Sequence, residues 1–294
     1  MYKFLLFCSA LTLSACATGT PPFGGNGSDE DSGASVSATE VYVGDEGDMN
    51  NLVYDAVNDE LVINNLPFDS VDGRYVNTGG TFLDGFQVYA SKQTGETGRF
   101  QYYAVHATSA NGHAGAVGTA AYRNYGHGGA MIARNTNNVN LPVGRGQLLY
   151  TGSYAGIRVA DDVPGSVTGV TFADGDARLY VDLLDFDVTG AVAGFVENRN
   201  EYDVNGTYIG SLQSIVLNET ADITTGGVIN GTSTTYDTGS SGTQEVLQSG
   251  NYTAIFAGRN GEQIIGTVRI TGDIDINDSD LGNVQETGVF VVTD

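Results

Sequence analysis

The stretch 249–294, SGNYTAIFAGRNGEQIIGTVRITGDIDINDSDLGNVQETGVFVVTD, decides the fold of this chain. Side chains alternate in character along Asn251 to Ala257 and along Gln263 to Thr271, and Gly288 to Val292 is a last apolar run. A two-residue period interrupted by turn formers predicts three successive strands. A chain that ends in a strand needs a partner for it, and pairing with an earlier strand closes a barrel.

The sequence upstream repeats this pattern as far back as Leu141. About eight or nine strand candidates follow one another there, which is the number that a small up-and-down barrel needs. The clearest is Arg178–Phe186, where Leu179 and Val181 share one face and Tyr180 lies on the other. We therefore predict an all-β protein, in which a small β-rich handle domain (residues 41–140) precedes an eight-stranded antiparallel soluble β-barrel (residues 141–294).

The barrel is not expected to be a membrane pore. Its strand candidates are short, and polar residues such as Asp182, Glu197 and Arg269 recur on faces that lipid would have to touch.

The N-terminus carries a targeting segment. Lys3 gives a positive start, a short apolar run follows, and Leu13-Ser14-Ala15-Cys16 resembles the lipobox of bacterial lipoproteins. That resemblance implies a signal peptide over residues 1–15, lipidation of Cys16 and attachment to the outer membrane by acyl chains. Residues 16–40, rich in Gly, Ser and Asp, predict a flexible tether. An ordinary signal peptide, cleaved nearby, is the alternative.

Composition excludes several classes of function. The formal net charge is -23, from 12 basic and 35 acidic residues, so the basic patch that nucleic-acid binding requires is missing. Both cysteines, Cys8 and Cys16, lie near the N-terminus, so the body of the chain has no disulfide or thiol nucleophile. No nucleophile, base and orienting group line up in a known spacing, so we expect no enzyme.

Motifs in the second half of the chain resemble the β-barrel domain of transferrin-binding protein B and related surface lipoproteins. Motifs within residues 52–68 resemble the first half of relatives called transferrin-binding-protein-like solute-binding proteins. The barrel motifs are Tyr150–Gly156, Leu179–Leu183, Thr189–Gly194, Ala257–Glu262, Ile265-Gly266 and Thr287–Phe290. The motifs of the first half are Leu52–Tyr54, Leu61–Ile63 and Leu66–Phe68. The resemblance implies a handle-plus-barrel lobe at the cell surface that captures a protein or an iron- or haem-bearing ligand. Full transferrin-binding protein B has two such lobes, whereas this chain has room for one.

Aromatic and basic side chains are the first candidates for ligand binding, since Tyr and Arg are favoured at interface hot spots. We expect Tyr102, Tyr103, Tyr122, Tyr125 and Arg123 to lie at loop tips. Packing on a strand face is the alternative for each tyrosine.

Two further sets of residues have the chemistry of metal ligands. Asp273, Asp275, Asn277, Asp278 and Asp280 place oxygens at nearly alternate positions, as calcium loops do, although the Gly and Glu of an EF-hand are missing. A solvated acidic hairpin loop is the alternative.

The second set is the histidines. His106 falls in a strand candidate, and His113 and His127 fall in a glycine-punctuated segment over 112–135 that we interpret as loops. They could ligate metal or haem with Tyr122 or Tyr125, or they could simply pack.

Taken together, the sequence predicts a monomeric lipoprotein of the outer membrane, exposed at the surface or facing the periplasm. Its expected role is that of a non-enzymatic binding module for a protein or an iron- or haem-bearing ligand, without a cofactor other than the calcium considered above. A structural envelope lipoprotein without a specific ligand is the alternative.

Overall fold

The structure is a computed structural model that describes residues 40–43, 49–69, 72–92, 100–122, 124–136, 139–160, 169–183, 191–240, 242–275 and 282–294. The predicted signal peptide, Cys16 and the tether up to residue 39 lie outside these residues. Within them, all regular secondary structure is β, as predicted. The described part of the chain contains no helix of the length and apolar character needed to cross a bilayer.

The first half of the chain forms an eight-stranded antiparallel sheet. Its strands are β1 Glu40–Val43, β2 Asn51–Asp55, β3 Glu60–Asn64, β4 Arg74–Asn77, β5 Gln87–Ser91, β6 Tyr103–Thr108, β7 Gly112–Gly118 and β8 Gly128–Arg134. β2 to β8 lie side by side in chain order, and β1 pairs with β8. We call this sheet the handle.

The segment 112–135, interpreted above as glycine-rich loops, instead contains β7 and β8, which pair along their whole length. His113 therefore lies in a strand, and His127 directly precedes one. The loop interpretation was wrong because both strands are rich in Gly and Ala, which have a low propensity for strands. The small residues serve close packing: a Cβ added to Gly118 would lie 3.1 Å from Ile157 Cγ2 in the second half of the chain.

The second half of the chain forms a closed antiparallel barrel. Its strands are β9 Gln147–Ala160, β10 Val170–Asp182, β11 Ala191–Tyr202, β12 Tyr208–Ser211, β13 Ile215–Thr220, β14 Val228–Thr238, β15 Gln244–Ala257, β16 Gln263–Asp273 and β17 Asn283–Thr293. Eight of them, all except β12, form the barrel, and β12 pairs only with β11. The last strand, β17, pairs with β9 from Thr293 opposite Thr151 to Val284 opposite Ala160. The predicted eight-stranded barrel and its closure by the last strand are thus confirmed.

Alternate side chains fill the barrel interior. The largest of them are fully buried: Tyr150, Tyr154, Tyr252, Phe256 and Phe290. An eight-stranded barrel is just wide enough for side chains to fill, and this interior is filled in that way.

The handle packs against the outside of the barrel. Outward-facing Ile157, Ile265 and Val289 of the barrel form one apolar core with Ala116 and Ile132 of the handle. At the end of β8, the buried Arg134 extends this contact, because its Nη1 donates to the carbonyls of Gly226 at 2.8 Å and Phe256 at 3.0 Å. The two sheets therefore form one packed body.

Candidate functional site

A cluster of charged side chains lies inside one end of the barrel. Glu286 of β17 is completely buried, and so, nearly, are Arg158 of β9 and Arg199 of β11. Glu286 Oε2 accepts from Arg158 Nη1 at 2.7 Å and from Arg199 Nη2 at 2.6 Å, while Tyr154 donates to Glu286 Oε1 at 2.6 Å. Arg158 Nε also donates to Glu201 Oε1 at 3.0 Å. Two guanidinium groups are thus balanced by two carboxylates. We call the five residues Tyr154, Arg158, Arg199, Glu201 and Glu286 the ion cluster.

Strand geometry explains why these residues meet. Glu286 points inward because it shares its face with Phe290 and Val292, which fill the interior. Arg199 would point outward by simple alternation from Val196, but the β10–β11 pairing shifts register near Asn198, whose φ is 53°. Such a β-bulge inserts residues into one strand and re-aims the side chains that follow. The bulge therefore turns Arg199 into the barrel.

Glycines make room for the ion cluster. Gly288 and Gly156 are direct register partners, and Tyr154 lies over both. A Cβ added to Gly288 would lie 2.1 Å from Tyr154 Oη, so the ring can occupy this place only because Gly stands there.

The ion cluster is suited to holding the barrel closed. Burial raises the pKa of Glu286, but Arg199 and Arg158 outweigh it, and the pKa falls to about 2. An ionised carboxylate bonded to two cations and a tyrosine has no capacity left to act as a base or nucleophile. Because it links the first strand of the barrel to the last and to β11, its role is structural.

The tyrosines predicted to bind ligand lie mostly in packed positions. Tyr102 is completely buried and donates to the carbonyl of Pro67 at 3.0 Å, so it is not at a loop tip. Tyr122 is half-buried and donates to the same carbonyl, and its ring packs 4.9 Å from that of Phe100. The structure thus brings Tyr102 and Tyr122 together at the Pro67 carbonyl, where their hydrogen bonds stabilise the handle.

The remaining predicted binding residues are dispersed. Tyr103 is half-buried, with its ring edge-on to Phe172 at 5.9 Å, and Tyr125 packs against the core shared by handle and barrel. Arg123 lies outside the described residues. A common binding surface made by these residues stays a prediction.

The predicted calcium loop is described only at its start. Asp273 ends β16 and is exposed, and Asp275 is half-buried, while Asn277, Asp278 and Asp280 lie outside the described residues. Within the described residues, no group of three or more His, Cys, Asp or Glu side chains is placed to hold a metal ion. Calcium binding by this loop therefore stays a prediction.

Two of the histidines meet in the handle. His106 and His113 have ring centroids 5.7 Å apart, and His106 also packs against Tyr54 at 5.2 Å. Burial, followed by the charge on His113, lowers the pKa of His106 to about 3. His127 lies apart from this pair, with its ring 4.5 Å from that of Tyr122. His106 is therefore a neutral core residue at pH 7.

The lowered pKa of His106 predicts that the folded chain loses stability in mild acid. An unfolded histidine binds a proton below about pH 6.5, whereas His106 in the folded chain stays neutral until about pH 3, so acid favours unfolding over that window. Between pH 6.5 and 4.5, we expect this residue to remove about 2 kcal/mol of the free energy of unfolding. The measurement is denaturant unfolding at several pH values for the parent chain and for His106→Phe. Equal pH slopes in the two proteins would contradict the prediction.

A shallow groove on the outer face of the barrel was not anticipated from the sequence. It has a volume of about 280 Å³ and is lined by Ser249, Gly250, Asn251, Thr253, Thr267, Arg269, Thr271 and Gln285. Arg269 Nη2 donates to Gln285 Oε1 at 2.9 Å within it. The alternation of β15 to β17 places the side chains of these residues outward, with the exception of Gly250, but only the strand register reveals that they adjoin.

The chain was compared with known proteins. No protein-family model matches the sequence, and no curated protein sequence matches it. Solved structures do match. A mutant of transferrin-binding protein B from Haemophilus parasuis Hp5 has 14% sequence identity and a TM-score of 0.41, over 87% of this chain and 44% of that one. The intact Ap-TbpB, with N and C lobes, has 13% identity and a TM-score of 0.40, over 87% and 46%.

A structure described as a surface lipoprotein has 13% identity and a TM-score of 0.36, over 87% of this chain and 98% of that chain. The chain thus spans less than half of the transferrin-binding protein B structures but nearly the whole of this lipoprotein. Because these three structures have identities below 15% and TM-scores below 0.5, the likeness establishes neither family membership nor a ligand for this chain.

Proposed function

We propose that this protein is a lipid-anchored binding module of the outer membrane, in which the handle and barrel (residues 41–140 and 141–294) display a surface for a partner and carry out no chemistry. The observation that carries the proposal is the filled barrel interior, where the ion cluster, which includes Tyr154, and four further large aromatic side chains occupy the space in which a small ligand would sit. Binding then belongs to the outer surface, and an outer surface suits a macromolecular partner.

A protein, or a protein that carries iron or haem, is the partner that fits this proposal. It agrees with the motif resemblance described above, and a surface excess of acids favours a partner with basic groups. The calcium loop and the tyrosines predicted from the sequence belong to the proposal as further contacts. A structural envelope lipoprotein without a specific ligand is the competing function.

Anchoring gives a direct prediction. Because Cys16 stands where the apolar run of the signal peptide ends, Cys16→Ser is expected to move the protein from the membrane fraction to the soluble fraction. The measurement is fractionation of cells that express each form, followed by a blot, and Cys8→Ser is the matched control. A Cys16→Ser protein that stays with the membranes would contradict the anchor.

Capture of a partner tests the binding function. The full chain is immobilised and exposed to growth medium and to envelope extract, and retained proteins are identified by mass spectrometry. A partner that recurs between preparations supports the binding module, whereas the absence of any such partner favours the structural role.

Protease treatment of intact cells then decides on which side of the outer membrane the protein lies. Digestion in intact cells places the barrel outside, whereas survival until lysis places it in the periplasm.

A further inference from the structure

Three large apolar side chains adjoin on the outside of the barrel. Leu149 of β9, Tyr180 of β10 and Phe195 of β11 are 46%, 37% and 42% exposed. Tyr180 is the register partner of Leu149 on one side and of Ala193 on the other, and Phe195 is two residues beyond Ala193 on the same face. Scattered exposed apolar residues are ordinary, whereas apolar neighbours rimmed by polar residues are the kind of surface that interaction sites use.

The backbone hydrogen-bonding groups of β10 beneath these three side chains are already paired with neighbouring strands. From Ala177 to Asp182, β10 pairs with β9 and with β11, so a partner cannot add a strand there and must bind through side chains. On the inner side of the same strand, Leu179 and Val181 are buried in the filled interior. The group is therefore held rigidly before any partner arrives, which lowers the entropic cost of binding.

Charges around the apolar group are mainly negative. Asp176 and Asp182 flank Tyr180 and Arg178 along the outer face of β10, and both are exposed. Arg178 Nε lies 3.0 Å from Glu197 Oε1, so the guanidinium of Arg178 is already paired. Among the described residues of this face, three carboxylates against one guanidinium leave a net negative rim around an apolar centre.

This combination selects the kind of partner. An apolar centre with a charged rim is the usual anatomy of a protein interface, and a negative rim is complementary to lysine and arginine. A second copy of this chain would bring the same carboxylates against each other, and like charges in an interface oppose binding.

We propose that the β9–β11 face (Leu149, Asp176, Arg178, Tyr180, Asp182, Phe195 and Glu197) docks a basic protein through apolar side chains surrounded by lysine or arginine. This inference rests on the proposed binding function, to which it adds the surface and the chemistry of the partner. Tyr180 and Phe195 are its anchors, since aromatic side chains carry a large share of interface energy.

The test uses the full chain and a fluorescent peptide in which lysine and leucine alternate, with binding followed by anisotropy. In the face variant, Tyr180→Ser with Phe195→Ser, every charge is kept, and we expect at least a tenfold weaker Kd. The matched control is Tyr208→Ser with Ile209→Ser, two similarly exposed residues on β12, and it should bind within about twofold of the parent. Equal Kd values for all three proteins, or no saturable binding by the parent, would overturn the proposal.

Partner capture with the same three proteins separates this inference from the binding function. A basic protein retained by the parent and the control but lost from the face variant supports the face, provided that the purified partner shows the same tenfold loss. A partner retained equally by all three proteins leaves the binding function standing and overturns the face. If the parent retains no partner, the binding function fails, and the inference fails with it.

Discussion

Replacing Glu286 by glutamine is expected to lower the free energy of unfolding by about 3–5 kcal/mol, because the change leaves two buried guanidinium groups with one carboxylate, Glu201, in place of two. Glutamine has nearly the same shape, so the effect reports charge and not a cavity. Arg158 and Arg199 keep other partners, since Arg158 Nε also reaches Glu201 and Arg199 Nη1 donates to the carbonyl of Gln213. Neither Glu201 nor the Gln213 carbonyl can replace a carboxylate that binds both arginines at once.

Denaturant unfolding near pH 7 measures this effect, since Glu286 is ionised there with a pKa of about 2. The matched control is Arg178→Gln, which breaks an exposed pair with Glu197 and should cost less than about 1 kcal/mol. If Glu286→Gln costs no more than this control, the ion cluster is not what holds the barrel closed.

Introducing valine at Gly266 is expected to cost about 3 kcal/mol, at the upper end of the usual penalty for overpacking a core. Gly266 of β16 is the register partner of Phe290 of β17, and both face the filled interior. A Cβ added at Gly266 would lie 2.1 Å from Phe290 Cζ, well inside contact distance. The ring is fully buried among other large side chains and has little room to turn away.

A second substitution makes this prediction specific. Combining Gly266→Val with Phe290→Leu should recover part of the lost stability, which a double-mutant cycle detects as a coupling of at least about 1 kcal/mol. Gly210→Val on β12, where an added Cβ would meet nothing within 4 Å, should change stability by less than about 0.5 kcal/mol. Additive effects of the Gly266 and Phe290 substitutions would show that the clash is relieved elsewhere.

The alternation of side chains predicted much of the barrel correctly. Ile264, Val268 and Ile270 share the inner face of β16, as expected from their spacing. In β10, the side chains of Leu179 and Val181 point into the barrel and that of Tyr180 points outward, as predicted. The strand itself begins at Val170, earlier than the clearest part of its pattern. A period of two is a local property, so it can be found without knowing what pairs with what.

The ion cluster shows where local pattern stops being sufficient. Glu286 could have been noticed, because the spacing from Phe290 and Val292 puts a carboxylate on an apolar inner face. Its partners could not, since Arg199 and Arg158 are 87 and 128 residues away, and the bulge at Asn198 reverses the face on which Arg199 would be expected. Buried charges depend on pairing between distant strands, which one segment does not encode.

The sequence by itself determined the fold class and the alternation of the barrel strands, because both follow from neighbouring residues. It also predicted the closure by the last strand, which the structure confirms. The lipid anchor at Cys16 stays a prediction. Tertiary structure alone decided that Tyr102 is buried, that β7 and β8 are strands, that Glu286 has two cations, and that Leu149, Tyr180 and Phe195 adjoin. The physical reason is that burial and contact arise from strand register. Register is set by hydrogen bonds and packing between segments far apart in the chain.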